Sequence, residues 1–157
     1  MTEVNGLRLA YRGFINGLAG GYVWTAVAML LSALADGDPL RPLRPVALAL
    51  SPLAGSPELA FVLGLAAVQA GGGVVGICFA YFFARFFTVR TTLVVAAPAF
   101  TLLTWGLIAS IVARDTGIVV SATHPIPALA SLGYGLLLGI GLPVRGEVVR
   151  YAGSPST

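Results

Sequence analysis

Long apolar runs alternate with short polar clusters along this chain. Four runs stand out, at about 14–35, 59–84, 92–113 and 126–143, and none has a charged residue in its interior. A membrane helix needs about 20 mostly apolar residues to cross roughly 30 Å of hydrocarbon. The pattern therefore predicts a single all-α membrane domain over 1–157, built as a four-helix transmembrane bundle. The fourth run is short and glycine-rich.

Three of the runs carry small residues at every fourth position. The first has Gly13, Gly17 and Gly21; the second has Gly64, Gly72, Gly76, Ala80 and Ala84, with Val68 filling the gap; the last has Ser131, Gly135 and Gly139. Residues four apart share one helix face. In water each such glycine weakens a helix by about 1 kcal/mol relative to alanine. In lipid it lets two helix backbones approach closely. The small faces of the first, second and fourth spans are predicted to pack against one another. The third span, with the weaker stripe Gly106 and Ser110, is expected at the periphery or against a partner.

The connection between the first two runs is the longest. It opens Asp36-Gly37-Asp38-Pro39 and contains Pro42, Pro45, Pro52 and Pro57. Asp-Gly and Asp-Pro are turn dipeptides. Pro45 suits the first position of a short helix. The apolar stretch 46–53 is too short to span. It reads as an interfacial helix or a re-entrant segment, with an ordinary connecting loop as the alternative. The first run also has a rival reading: Ala33-Leu34-Ala35 resembles a signal-peptidase site. Its apolar stretch exceeds the usual signal core of about 7–15 residues, and its glycine ladder is a packing device, so the run reads as a retained helix.

Composition agrees with a membrane protein. Hydrophobic residues make up 57% and charged residues 10%, against about 25% charged in a soluble domain, too few to cover a soluble surface. All nine basic residues are arginine, which reads as the composition bias of a GC-rich bacterium. They are scattered singly and form no stripe for nucleic acid. Arg8, Arg12, Arg85, Arg90, Arg145 and Arg150 fall on one side of the four spans, and Arg41, Arg44 and Arg114 on the other. The positive-inside rule then puts both termini in the cytoplasm, with the chain in the bacterial inner membrane.

The candidate chemistry is sparse. Cys78, the single cysteine, excludes an internal disulfide and a CxxC pair. The acids lie in loops or at helix ends, so no catalytic constellation is found and no enzyme is expected. One histidine, His124, lies beside the fourth span. Alone it builds neither a zinc site nor a bis-histidine haem site, but it is a candidate ligand or quinone contact at a subunit interface. No resident cofactor is expected; haem, quinone or lipid at such an interface is compatible with the sequence. Asn16 and Gln69 are polar residues within spans. A buried amide in lipid needs a partner, as glue between helices or as a contact to a substrate. Gly71–Gly73 is either a site of very close helix crossing or an unwound stretch such as transporters use. Phe79, Tyr81, Phe82, Phe83, Phe86 and Phe87 exceed what an aromatic belt needs. Phe79, Phe82, Phe83 and Phe86, with Trp105 of the third span, are candidates for a partner surface. Trp24 and Trp105 both fall near mid-span, where an indole N–H wants a partner.

The order of features resembles that of a group of small four-helix bacterial integral membrane proteins of uncharacterised chemistry. The features that carry it are the outer segment Leu43-Arg44-Pro45, the glycine-rich second span, and His124 followed by Tyr134-Gly135-Leu136-Leu137-Leu138-Gly139. The group looks like small subunits accompanying larger respiratory or photosynthetic assemblies. That resemblance implies a non-catalytic accessory or assembly subunit, with other integral membrane subunits and lipid as partners. The residues leave open a self-associating transporter or channel with a polar path at Gln69 and Gly71–Gly73. They also leave open a cofactor-contacting subunit using His124.

Overall fold

A computed structural model describes residues 6–116 and 125–144, and the regular structure among them is entirely helical. Helix α1 covers Gly6–Asp36, α2 Arg44–Leu50, α3 Pro57–Cys78, α4 Arg90–Thr116 and α5 Pro125–Gly141. Three helical stretches are long and apolar enough to cross a membrane: Gly6–Asp36, Pro57–Phe86 and Arg90–Ile111. Helix α5 is apolar but has only 17 residues, or about 26 Å at 1.5 Å per residue.

Local chemistry sets the helix ends. Gly37 follows α1 in the left-handed region, at φ 71°, and its N–H donates to the Ala33 carbonyl at 3.1 Å. A side chain is disfavoured there and glycine is not. Asp36 and Asp38 serve this turn. Asp36 pairs with Arg41, Asp38 pairs with Arg44 at 2.8 Å, and Asp38 accepts the Leu40 N–H at 3.1 Å. Helix α2 starts with Pro45 in its first turn. Helix α3 starts at Ser56, whose hydroxyl oxygen accepts the Leu59 N–H at 3.3 Å, with Pro57 next and Glu58 in the first turn. A capping serine, an early proline and an early acid each suit a helix N-terminus.

The second apolar run departs from its predicted form at its far end. The α-helix stops at Cys78. A π-helical turn follows over Phe79–Phe83, then a 3-10 turn over Ala84–Phe86. The Gly71–Gly73 stretch, by contrast, is regular α-helix.

Helix α1 is the central helix of the described residues. It packs on α3 through one face and on α5 through another; α4 packs on α5, and α2 lies on α3. Its buried stripe is Gly13, Gly17, Gly20, Gly21, Trp24 and Ala28. The predicted union of three small-residue faces is corrected here. Those of α1 and α3 do meet, but the α5 ladder is turned to α4: Gly135 lies against Pro98 and Thr101, and Gly139 against Val94 and Ala97. The third span therefore has a matched groove, and small residues on one helix of the pair are enough to make it. Gly64 also differs. It receives Leu43 of the α1–α3 connection rather than another long helix. The start of α1, the end of α5 and the α3–α4 link share one end of the bundle: Gly6 lies by Tyr81, Asn16 by Gly141, and Arg90 donates to the Ile140 carbonyl.

Candidate functional site

The α1–α3 seam is antiparallel and reciprocal. A Cβ on Gly13 would strike the Gly76 carbonyl and Ala80; one on Gly17 would strike the Gly72 carbonyl; one on Gly76 would strike the Gly13 carbonyl in return. Gln69 continues this seam beside Gly21. With its amide turned to satisfy both atoms, it donates to the Leu18 carbonyl at 2.8 Å and accepts the Tyr22 N–H at 3.2 Å. It thus grips one turn of α1 and uses its polarity on backbone. Gly72 and Gly73 face α1, while a Cβ on Gly71 would meet nothing within 4 Å.

A chain of hydroxyls and indoles joins α1, α5 and α4. Trp24 Nε1 donates to Ser131 Oγ at 3.1 Å, and that hydroxyl donates to the Pro127 carbonyl at 2.8 Å. Thr101 Oγ1 donates to the Ser131 carbonyl at 2.7 Å. Tyr134 lays its ring on Gly20 and donates its hydroxyl to the Gly72 carbonyl at 2.6 Å, so that α5 reaches across α1 to α3. Gly20, Tyr134 and Thr101 carry this joint without having been singled out as site residues. The signal for them was weak: Gly20 stands off the four-residue ladder, and an aromatic in an all-apolar run points nowhere in particular.

Between α3 and α4, which form no packed pair of their own, lies an apolar cleft of about 180 Å³. Its α3 wall includes Val68, Gly71 and Val75; its α4 wall includes Thr104, Trp105 and Ile108. Trp24, Ser131 and Tyr134 form the floor, and Val46 of α2 stands at one end. Trp24 and Trp105 approach to 5.7 Å between ring centroids. Trp105 Nε1 is buried and lacks a hydrogen-bond partner. Trp105, expected on a partner surface, thus lies half-buried at the cleft wall. Phe79, from the same expected surface, is 1% exposed and packs 5.1 Å from the Phe100 ring. The π turn is what splits the aromatic cluster. Phe79 goes inward, while Tyr81, Phe82, Phe83 and Phe86 stay exposed. The Arg85 guanidinium lies 4.7 Å from the Phe86 ring centroid and 5.6 Å from that of Tyr81.

Comparison of the chain with protein-family models, with curated proteins and with solved structures finds no match. Function must therefore be argued from the geometry. Asn16, half-buried, sits against Gly141 of α5, whereas Gln69 reaches α1 from α3, at Leu18, Gly21 and Tyr22. The two expected polar residues do not share a site. His124 lies outside the described residues. Among the described residues no three His, Cys, Asp or Glu side chains cluster.

Proposed function

We propose that this protein is a four-span accessory or assembly subunit of a larger integral membrane complex, of the respiratory or photosynthetic kind. In this reading α5 crosses the membrane with the three longer helices, α2 rests on the outer surface, and the arginine-rich link end faces the cytoplasm of a bacterial inner membrane. The observation that carries the proposal is the outward aromatic fan at Phe82, Phe83 and Phe86. A π turn is an irregularity often found at functional sites, and here it spreads large rings over the surface, with Arg85 laid across two of them. Rings and arginine are the side chains enriched at protein interfaces. The polar groups within the bundle support the same reading, because Gln69, Ser131, Thr101 and Tyr134 are taken up in joining helices to one another.

Purification of the full chain from its own membranes in mild detergent tests this. Larger membrane subunits should accompany it in fixed stoichiometry, and Phe82→Ala with Phe86→Ala should release them while the bundle stays folded. Recovery of the wild-type chain as a lone homo-oligomer overturns the proposal.

A further inference from the structure

We infer that the α3–α4 cleft binds an apolar molecule bearing a ring carbonyl, of the quinone class, with the Trp105 indole N–H as hydrogen-bond donor. The inference stands apart from the assembly reading, since the isolated chain carries every residue it uses.

The hydrogen bonds at the cleft single out one group. Trp24 donates to Ser131, Ser131 to Pro127, Thr101 to Ser131, Thr104 to Phe100, and Tyr134 to Gly72. Trp105 Nε1 is the buried side-chain donor left without an acceptor among the described residues. Such a group in hydrocarbon is costly until it is paired. An acceptor is therefore what this wall lacks, and a carbonyl oxygen on an otherwise apolar body meets that need.

Gly71 points the same way from the opposite wall. Gly72 and Gly73 are required by the approach of α1, but Gly71 is not, because its Cβ would face open space. A side chain there would enter the cleft. Cavities of about 150 Å³ hold one benzene-sized ring, and this cleft offers about 180 Å³. Access follows from the packing order. Helices α3 and α4 form no packed pair, and the second run meets α4 through Phe79 and Phe83 on Phe100. Binding requires the cleft to widen enough to uncover the buried Nε1, which neither glycine seam opposes.

Depth selects the carbonyl. Trp105 lies eight residues inside Ala113, the last residue of its apolar run before Arg114, or about 12 Å at 1.5 Å per residue. Glycerolipid ester carbonyls sit at the hydrocarbon boundary. A carbonyl carried on a ring that dissolves in the hydrocarbon reaches this level.

The test uses the full chain, ¹⁵N-labelled at tryptophan, in phospholipid nanodiscs. A benzoquinone with a short alkyl tail is compared with a benzene ring bearing the same tail. The Trp105 indole resonance should shift saturably with the quinone, and the Trp24 resonance, already bonded to Ser131, much less. The carbonyl-free ring should need about tenfold more for the same occupancy. Gly71→Leu should abolish the shift with the Trp24 resonance unchanged. If Gly71→Leu does not fold, Trp105→Phe takes its place: quenching of the remaining Trp24 fluorescence should show quinone affinity reduced about tenfold, to that of the carbonyl-free ring. A Trp105 resonance unmoved by the quinone overturns the inference. So does an equal response to both probes, which would make the cleft a groove for lipid tails, or a response that survives Gly71→Leu.

Discussion

Along the α1–α3 seam both helices contribute glycine, and each backbone lies where the other's side chains would be. Along the α4–α5 seam α5 supplies the glycines, and α4 answers with Val94, Ala97, Pro98 and Thr101. Lipid is as apolar as leucine, so neither seam is driven by removal of apolar surface from water. Close packing and hydrogen bonds hold them instead. The reciprocal seam relies on backbone proximity, with Gln69 gripping one turn at its far end. The one-sided seam adds the Thr101–Ser131 bond along its length and the Arg90–Ile140 bond at its end. Both seams set glycine against backbone, Pro98 Cα and Val94 Cα in the one-sided seam included, but a Cβ on Gly17 would drive deeper into its partner's backbone than one on Gly139, whose nearest atom is Val94 Cα at 2.9 Å. At these positions the reciprocal seam should therefore be the more brittle of the two.

Substitutions graded by size can break this contrast. Gly17→Ala should have the largest effect, about 3 kcal/mol, because its Cβ meets the Gly72 and Gly73 backbone with no side chain to move. Denaturation of the reconstituted protein in a graded detergent series measures it; a loss below that of Gly139→Ala would reverse the ranking of the seams. Gly139→Ala should cost about 1–2 kcal/mol. The nearest atoms to its Cβ are Val94 Cα at 2.9 Å and the Leu93 carbonyl oxygen at 3.1 Å, backbone that has to give by only a few tenths of an ångström. Gln69→Leu should cost about 0.6–2 kcal/mol, the worth of interhelical polar contacts in bilayers, and should leave solute flux across proteoliposomes unchanged. Abolition of a measurable flux by this variant would instead favour a transport path. Gly71→Ala should be the mildest, neutral or stabilising by up to about 1 kcal/mol, because the new methyl meets open space. A clear loss of stability there would mean that all three consecutive glycines serve the seam.

The small-residue faces could be read in the chain because a four-residue period survives in any helix. Gly13, Gly17 and Gly21 do lie against Gly76, Gly72 and Gln69. The partner of each face could not be read so well. Ser131, Gly135 and Gly139 announce a groove but not which helix fills it, and α4 does so with Val94, Ala97, Pro98 and Thr101, helically spaced but not set apart by residue type from the rest of an apolar run. Inside and outside were hardest to tell apart. In a water-soluble helix, polarity marks the outer face; in the second run both faces are apolar, so nothing distinguishes the inward Phe79 from the outward Phe82. The π turn was hidden for a related reason. The run from Cys78 to Phe83 has no glycine, proline or charge to announce a change of helical pitch. Of the candidate site, Gln69 and the indoles were visible as polar groups in an apolar setting. The cleft was not, since it results from two chain neighbours, α3 and α4, failing to pack on each other.

The hydroxyl of Tyr134 on the Gly72 carbonyl has a consequence for biogenesis. Helices α1 and α3 leave the ribosome first and carry a complete seam between them, so they can pair as a hairpin before α4 is made. Helix α5 comes last of the described helices; its Ser131 meets Trp24 of α1, and its phenol reaches past α1 to α3 in that hairpin. Closure of these helices is thereby deferred until α5 has been made, and a chain stalled after α4 would expose the bare stripe of Gly20 to the insertion machinery.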